Sequence, residues 1–300
     1  MDVRVMVFAP VPQLTVTIEQ VANDTELHLH AGGQGIWQAR MIAGLGVPVT
    51  LCAVLGGEVG RVLEPLIATE GVELRAVLRT AANGWYVHDR RDGKRRAVAE
   101  VAGPPLGRHE LDEIYTLALA EGLRSEMAVL SGPADPGLVP PDAYRRLATD
   151  LTANGGRVAA DLSGDHLASV LEGRPELVKV SHEEIAEVED PVKALHRLRD
   201  SGAGTVIVSR AEQPALALVG DDVVEVRMPQ LEVADHRGAG DSMTAGVVSV
   251  LAQGGDLGEA LRVGAAAGAL NVTRHGLGSG RIDAIRELAR RVRLEPVAAS

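Results

Sequence analysis

The amino-acid sequence predicts an α/β fold in which a mainly parallel central sheet is covered by helices on both faces. Helix-like and strand-like segments alternate regularly from residue 110 onward, a pattern typical of parallel strands joined by crossover helices. Short strand-like segments before residue 102 instead predict a small separate sheet. A chain of 300 residues with 46 % hydrophobic composition is sufficient for one large domain carrying such a small sheet.

The first part of the chain predicts four strands, two helices and a hairpin. The strands are predicted at 3–8, 14–18, 27–30 and 49–55, and the helices at 36–45 and 61–70. The hairpin has strands 85–90 and 95–101 on either side of Asp92-Gly93, a dipeptide favoured in tight turns. The hairpin carries a basic cluster, which predicts either a solvated turn or a binding surface. The cluster consists of Arg90, Arg91, Lys94, Arg95 and Arg96.

The second part of the chain predicts alternating helices and strands. The helices are predicted at 110–123, 141–153, 165–171 and 191–201, and the strands at 127–131, 157–162, 177–180 and 205–209. A second hairpin at 215–219 and 223–228 precedes two helices rich in small residues, at 242–253 and 257–273. Parallel sheets bind ligands at the carboxyl ends of their strands. A site is therefore expected in the loops after Phe8, Ser131, Leu162, Val180 and Ser209.

Charge and cysteine content exclude several classes of protein. A net charge of -11 argues against nucleic acid or an anionic membrane as a partner, because both require a basic face. The single cysteine, Cys52, excludes an intramolecular disulfide and is predicted to be a core residue. No segment approaches the roughly 20 apolar residues of a membrane span, and residues 1–8 lack a signal-peptide pattern. We therefore expect a cytoplasmic enzyme.

Two glycine-rich segments lead into predicted helices. The first is Gly32-Gly33-Gln34-Gly35, and the second is Gly238-Ala239-Gly240-Asp241. A helix N-terminus binds anions well, because its first N–H groups have no internal partner and the helix dipole is positive there. The residues alone leave two roles open for Asp241, a catalytic base or a helix cap. The first segment is also compatible with a simple tight turn.

Four segments together resemble one family. They are Gly32-Gly33-Gln34-Gly35-Ile36, Ser131-Gly132 with Pro136-Gly137-Leu138, Lys179-Val180-Ser181-His182-Glu183-Glu184, and the stretch from Asp235 to Met243. The chain resembles the PfkB-type, ribokinase-like carbohydrate kinases, most closely the branch of 1-phosphofructokinases and tagatose-6-phosphate kinases. The resemblance implies a three-layer ribokinase-like fold over a single domain, residues 1–300, with a β-sheet lid built from strands at about 12–31 and 84–103.

The resemblance also implies a chemistry. The family transfers the γ-phosphoryl group of ATP to a hydroxyl, here of a sugar, sugar phosphate or related small molecule. Asp241 would take the hydroxyl proton. The loop of Gly238, Ala239, Gly240 and Asp241 would form an anion hole, in which the last three residues donate their N–H groups to the transferring group. Glu184 would position Mg²⁺ through water. The implied nucleotide contacts are Ser209, Ala211, Pro214, Gly240, Asn271 and Gly276, and the implied acceptor contacts are Gln13, Gly32, Gly33, Gln34 and Trp37.

Several positions depart from the family pattern. Gln13 stands where the phosphosugar branch has a carboxylate, Gln34 stands where it has a lysine, and the arginine expected near Trp85 is absent. These changes leave the acceptor unassigned. Trp37 is compatible with stacking on the acceptor or with packing against the lid.

The nucleotide side departs from the pattern as well. Ser181 replaces an asparagine, and Ala211 and Pro214 replace glycines. His236 and Arg237 replace small or apolar residues, and Arg237 is compatible with a phosphate contact or with simple exposure.

Three hypotheses on activity follow, together with one on assembly. The chain is predicted to be a kinase for a sugar, sugar derivative or nucleoside, or alternatively a non-catalytic or regulatory ligand-binding protein of the same fold. An oxidoreductase is disfavoured, because no Gly-x-Gly-x-x-Gly directly follows the first strand. A homodimer is expected through the lid strands 14–30 and 85–101.

Overall fold

A computed structural model describes residues 3–185, 190–211, 213–228, 231, 237–272 and 280–297. Ten described strands form a central sheet and four form a small sheet. The strands are β1 (Val5–Phe8), β2 (Gln13–Val21), β3 (Asp24–Gly32), β4 (Val49–Gly56), β5 (Glu73–Arg79), β6 (Trp85–Asp89), β7 (Arg96–Val101), β8 (Met127–Ser131), β9 (Val158–Asp161), β10 (Leu177–Ser181), β11 (Thr205–Arg210), β12 (Gln213–Val219), β13 (Asp222–Arg227) and β14 (Arg293–Pro296).

Helices connect most of these strands. They are α1 (Gln34–Gly44), α2 (Gly57–Ala68), α3 (Arg108–Gly122), α4 (Pro141–Ala153), α5 (Gly164–Leu171), α6 (His182–Ile185), α7 (Pro191–Asp200), α8 (Ala239–Ala252), α9 (Leu257–Val272) and α10 (Ile282–Ala289). A single 3₁₀ turn covers Pro136–Leu138. Within the described residues, no helix combines the length and the apolar character that a membrane crossing needs.

The central sheet has the order β14-β13-β12-β11-β10-β9-β8-β1-β4-β5. Strands from β5 across to β11 are parallel, and β12, β13 and β14 each run antiparallel to the preceding neighbour. The carboxyl ends of β1, β8, β9, β10 and β11 therefore lie along one side of the sheet, which we call the carboxyl edge. The predicted α/β class with a mainly parallel sheet is confirmed.

Each face of the central sheet carries its own hydrophobic core. Because successive side chains of a strand point to opposite faces, Val5 and Val7 of β1 join one core, which also contains Leu63 of α2 and Val247 of α8. Met6 and Phe8 join the other, which also contains Tyr144 of α4 and Leu195 of α7. Burial of each such side chain contributes about 1.5–3 kcal/mol. The result is three layers, with helices on both sides of one sheet.

The predicted core position of Cys52 is confirmed. Its side chain is buried in the second core, and burial raises the pKa of the thiol to about 12. The thiol is therefore neutral and unreactive in the folded protein.

The small sheet has the order β3-β2-β6-β7. It consists of two antiparallel hairpins, β2/β3 and β6/β7, joined by a parallel pairing of β2 with β6 in which Leu14 lies opposite Trp85. Leu14 and Ala31 pack against the first core. Farther along the same face, Leu27 and Leu29 are 62 % and 42 % exposed. One face of the small sheet is thus buried at its base and apolar but uncovered beyond it.

The basic residues of the β6/β7 hairpin are mostly engaged locally. Arg91 pairs with Asp89 at 2.6 Å, and Arg96 pairs with Asp92. The guanidinium of Arg95 lies 5.3 Å from the centre of the Tyr86 ring and donates from Nε to His88 Nδ1 at 2.6 Å. Burial and the neighbouring arginines lower the pKa of His88 to about 4. These described contacts fit the interpretation of the basic residues as part of a solvated turn.

Candidate active site

The first turn of α8 presents backbone N–H groups that the helix itself does not use. Gly238 precedes it with a φ of 71°, in the left-handed region that favours glycine, and supplies no side-chain cap. The first backbone hydrogen bond of the helix runs from the Ser242 N–H to the Gly238 carbonyl at 2.9 Å. The N–H groups of Ala239, Gly240 and Asp241 therefore lie at the positive end of the helix dipole, an arrangement that suits an anion.

Helix α9 holds this turn in place. A Cβ added to Gly268 of α9 would lie 2.8 Å from the Ala239 carbonyl oxygen, so the two backbones are in close contact. Asn271, which is fully buried, donates from Nδ2 to the Arg237 carbonyl at 2.6 Å. The loop before α8 is thereby tied to the end of α9.

A buried ion pair lies directly beneath Gly240. Lys179 of β10 is 5 % exposed and Asp161 of β9 is 2 % exposed, and Lys179 Nζ lies 3.4 Å from Asp161 Oδ1. A Cβ on Gly240 would come within 2.4 Å of Lys179 Nζ, so a larger residue at this position would displace the ammonium group from its present place. Burial opposes the charge of Lys179, but the carboxylates of Asp161, Asp241 and Glu184 outweigh it and raise its pKa. The ammonium group therefore stays charged under the anion-binding turn.

Hydrogen bonds fix the second oxygen of Asp161. Asp161 Oδ2 accepts from Thr244 Oγ1 at 2.6 Å and from Gln38 Nε2 at 3.0 Å. Gln38 Oε1 in turn accepts from the hydroxyl of Ser131. This buried network joins the ends of β8, β9 and β10 to α1 and α8, and a fully satisfied polar network of this kind holds its members in one arrangement.

The carboxyl group of Asp241 is perturbed by its surroundings. Burial and the negative charge of Asp161 raise its pKa to about 7, although the charge of Lys179 and a hydrogen bond from the Gln34 side chain oppose the rise. The other end of the Gln34 amide, Oε1, accepts from the Gly132 N–H at 2.9 Å. A carboxyl group that gains and loses its proton near neutral pH is suited to act as a general base.

The structure brings the predicted acceptor residues together at the start of α1. Gln13 is buried and begins β2, where it pairs with Gly32. A Cβ on Gly32 would lie 2.3 Å from Thr15 Oγ1 and 3.3 Å from the Gln13 carbonyl oxygen, so a larger residue here would require Thr15 to move. Gly33 has a φ of 107° and is the N-cap of α1, which places Gln34 in the first turn. Trp37 follows one turn later and is partly exposed.

Three of the predicted nucleotide residues, Ser209, Ala211 and Pro214, lie between the end of β11 and the start of β12. Ser209 of β11 would be 4.0 Å from a Cβ on Gly240, so its hydroxyl is adjacent to the anion-binding turn. Ala211 has a φ of 43°, a region that favours glycine. The Pro214 carbonyl accepts from Arg210 Nε at 2.6 Å. The predicted contact Gly276, like His236, lies outside the described residues.

Comparisons with known proteins decide the family. A model described as pfkB family carbohydrate kinase matches residues 9–284. The chain belongs to the pfkB family. It is 31 % identical over 260 residues to the ATP-dependent 6-phosphofructokinase isozyme 2 of Escherichia coli (strain K12), with 82 % of each chain covered. It is 27 % identical to the 1-phosphofructokinase of Bacillus subtilis (strain 168), covering 83 % of this chain and 84 % of the relative.

Solved structures agree with this assignment. The crystal structure of phosphofructokinase-2 from Escherichia coli in complex with potassium matches with a TM-score of 0.85 and 27 % identity, over 96 % of this chain and 99 % of that one. The resemblance inferred from sequence and the predicted ribokinase-like fold are therefore confirmed. As a member of the pfkB family, the protein is a carbohydrate kinase, a transferase that phosphorylates sugars.

Glu184 lies at the carboxyl edge of this pfkB-family protein, just after β10. It is exposed, and its Oε2 accepts from the Ser181 N–H at 2.6 Å. Its charge contributes to the raised pKa values of both Lys179 and Asp241, which indicates that it is close to them. Within the part of the chain that the structure describes, no group of three His, Cys, Asp or Glu residues is arranged to hold a metal. A lone carboxylate fits an ion that keeps most of its waters.

Four residues of the buried network have no site role predicted from the sequence, namely Gln38, Asp161, Lys179 and Thr244. Their side chains contact one another only after folding, across separations of 18 to 123 residues. A local signal did exist for two of them. Asp161 and Lys179 are charged residues inside the apolar runs of β9 and β10, and a buried charge requires a partner.

Proposed function

We propose that the protein is an ATP-dependent kinase that transfers the γ-phosphoryl group to a hydroxyl of a sugar, sugar phosphate or related small molecule. The observation that carries this proposal is the position of Asp241, whose carboxyl group has a pKa near 7 and lies in the same helical turn as three free N–H groups. One turn thus offers a base for the acceptor hydroxyl and donors for the phosphoryl oxygens.

Asp241 acts as the base in this proposal. In its ionised form it accepts the proton of the acceptor hydroxyl as that oxygen attacks the γ-phosphorus, and the bond to the β-phosphate oxygen breaks. A hydrogen bond between the Gln34 side chain and the carboxyl group of Asp241 favours the ionised form by lowering its pKa. The N–H groups of Ala239, Gly240 and Asp241 surround the transferring group.

The negative charge of the transferring phosphoryl group is stabilised by Lys179 and by the dipole of α8. Lys179 lies against Gly240 on the side of the buried network, so its positive charge reinforces the dipole of α8 at the phosphoryl group. Asp161 holds the ammonium group at that point. Because the donors are fixed before the substrates bind, little reorganisation is needed during transfer.

ATP is proposed to bind along the carboxyl edge beside β11. The proposed contacts are Ser209, Ala211, Pro214, Gly240, Asn271 and Gly276, and the proposed acceptor contacts are Gln13, Gly32, Gly33, Gln34 and Trp37. Glu184 is proposed to hold Mg²⁺ through water. The ion supplies charge neutralisation of the ATP phosphates when bound.

The test is an ATP-turnover screen over sugars, sugar phosphates and nucleosides with the wild type and Asp241→Asn. Loss of the base lowers kcat by about 100- to 10,000-fold, whereas the control Asp142→Asn, an exposed position in α4, retains full activity. Equal rates for wild type and Asp241→Asn contradict the proposal. Calorimetry addresses the alternative, since tight binding of an acceptor without any turnover supports a regulatory ligand-binding protein instead.

The small sheet is proposed to act as a lid and to pair with a second copy of the chain. Its uncovered apolar face, which includes Leu27, Leu29 and Val101, supports this proposal, because exposed apolar side chains grouped on one sheet favour association. A cytoplasmic location is also proposed.

A further inference from the structure

Asn83 lies where the chain passes from the central sheet to the small sheet, between β5 and β6. It is 2 % exposed, and its whole amide group is engaged. Asn83 Oδ1 accepts from the Gly56 N–H at 2.7 Å. Nδ2 donates to the Val54 carbonyl at 2.9 Å and to the Pro12 carbonyl at 3.2 Å. Because one end of the amide faces a donor and the other end faces two acceptors, its orientation is fixed.

This amide connects three segments that are distant in the sequence. Val54 and Gly56 belong to the carboxyl end of β4 in the central sheet, and Pro12 directly precedes β2 of the small sheet. A backbone hydrogen bond from the Asn83 N–H to the Gly56 carbonyl, at 3.2 Å, adds to the side-chain contacts. The start of the β2/β3 hairpin is thus joined to the central sheet through Asn83.

Gln13, a proposed acceptor contact, is held on both sides by the same linker. The Pro12 carbonyl, just before it, accepts from Asn83. The Leu14 N–H, just after it, donates to the Gly84 carbonyl at 3.0 Å. Gln13 is also buried, so its side chain has little freedom to compensate for a shift of its backbone. Displacement of the linker therefore displaces Gln13.

The two ends of the β6/β7 hairpin meet at the same place. A Cβ on Gly84 would lie 2.5 Å from the Ala102 carbonyl oxygen, so the incoming and outgoing segments touch through their backbones. Arg79 of β5 donates to the carbonyl oxygens of Ala82 and Pro104, both at 3.2 Å, and so bridges these two segments. The position of the small sheet is therefore transmitted to this linker.

We propose that Asn83 is a positioning residue that couples the small sheet to the acceptor site and holds Gln13 in place for a polyhydroxylated acceptor. The inference rests on the proposed kinase function, which assigns Gln13 to the acceptor. Asn83 acts through the backbone on either side of Gln13 and does not itself touch the acceptor. The nucleotide side is independent of this linker, because its proposed contacts begin at Ser209 of β11.

The first experiment measures steady-state kinetics of Asn83→Ala with an acceptor found in the turnover screen. Loss of the amide releases the Pro12 carbonyl, and kcat/KM for the acceptor falls by about 10- to 100-fold, as expected when a contact moves by about 1 Å. KM for ATP is unchanged. Asn83→Asp keeps the size and the acceptor of Asn83 but loses both donors. It gives the same pattern and replaces Asn83→Ala if that variant does not fold.

A double-mutant cycle separates this role from a general loss of stability. If Asn83 acts through Gln13, Asn83→Ala lowers kcat/KM by less than about 3-fold in a Gln13→Ala background, because the contact it positions is already gone. The structural control is Thr152→Val at the end of α4, which removes a hydrogen bond to the Gly173 carbonyl at 2.8 Å. This control leaves kcat/KM unchanged in both backgrounds. Equal effects of Asn83→Ala in both backgrounds overturn the proposal.

A second measurement needs no turnover. The Leu14 N–H exchanges with solvent faster when the linker no longer holds it, so its exchange rate relative to that of Val129 in β8 rises by at least about 10-fold in Asn83→Ala. General destabilisation raises both rates together and leaves their ratio unchanged. Hydrogen exchange followed by NMR gives this ratio, and the same ratio in Asn83→Ala as in the wild type contradicts the positioning role.

The two proposals fail in different ways. If the wild type phosphorylates no acceptor, the kinase proposal fails, and the exchange ratio alone supports or overturns the placement of Gln13 by Asn83. If the wild type is active but Asn83→Ala raises KM for ATP as much as it lowers kcat/KM for the acceptor, the coupling to the acceptor site is wrong. The kinase proposal stands in that case.

Discussion

Asp241 combines two properties that oppose each other in a folded protein. It lies in the first turn of a helix, where a carboxylate is favoured by the dipole, yet burial and Asp161 raise its pKa to about 7. The folded protein therefore holds a proton on Asp241 at pH values where the unfolded chain has lost it. The ionised base that catalysis needs is consequently formed at a cost in stability.

This cost predicts a pH-dependent effect of Asp241→Asn on stability. Between the ordinary pKa of 3.8 and the folded value of about 7, the folded state binds more protons, so the free energy of unfolding of the wild type falls as pH rises through this range. Asparagine cannot ionise. The variant is therefore more stable than the wild type by an amount that grows from pH 5 to pH 8, toward a ceiling of about 4 kcal/mol.

Urea unfolding at several pH values measures this difference. The control Asp142→Asn, in an exposed turn of α4, shows no such growth between pH 5 and pH 8. A difference between Asp241→Asn and wild type that stays constant with pH contradicts the raised pKa.

At the scale of residues, the sequence predicted the loop of Gly238 to Asp241 and the contact residues Gln13, Gly32, Gly33 and Gln34, because glycines and polar residues around strand ends and helix starts are local signals. It did not predict that the Gln34 amide would contact Asp241. That contact joins two segments about 200 residues apart in the chain, and nothing in either segment specifies the other. The roles proposed for these residues stay predictions.

At the scale of elements, the start of α8 depends on how closely α9 approaches it. A Cβ on Gly246 of α8 would lie 2.7 Å from the Gly264 Cα of α9, and a Cβ on Gly264 would lie 2.8 Å from the Met243 carbonyl oxygen. Both contacts are with backbone atoms, which cannot rotate away. The two helices therefore need glycine at their crossing.

Gly246→Ala is expected to destabilise the protein by about 1–3 kcal/mol, since the added methyl group forces the helices apart. Displacement of α8 also lowers kcat, because the anion-binding turn moves with the helix. Gly44→Ala is the control, at a position in α1 where the nearest atom to a Cβ is 3.9 Å away, and alanine there is neutral or slightly stabilising. Denaturant unfolding and kcat for both variants check the prediction, which fails if Gly246→Ala behaves like Gly44→Ala.

Most elements were predicted from periodicity and turn residues, and the exceptions have physical reasons. Strand β5 was not predicted because this edge strand carries three charged residues, breaks the polar/apolar alternation at its centre and buries only Val77 fully. Helix α10 and strand β14 were not predicted because they are short and are stabilised by packing on α9 and β13. Helix α8 begins at Ala239 rather than at 242, since the glycines that suggest a loop lie in its first turn.

At the scale of the whole molecule, the apolar face of the small sheet predicts a homodimer. Leu27→Asp and Leu29→Asp introduce charge on that face and are expected to convert the dimer to a monomer. The control is Leu78→Asp on β5 of the central sheet, where an equally apolar side chain is 75 % exposed, and this variant remains dimeric. Light scattering at micromolar concentration measures the mass, and a monomeric wild type contradicts the prediction.

The parallel pairing of β2 with β6 affects how the chain matures during synthesis. The β2/β3 hairpin leaves the ribosome early, but its partner strand β6 lies beyond α1, β4, α2 and β5. Until β6 is made, one edge of β2 has no partner strand, a state prone to strand-to-strand aggregation. The polar residues at the β2/β3 turn, Asn23 and Asp24, limit such contacts only at its tip. A nascent chain that ends before residue 85 therefore exposes the unpaired edge of β2.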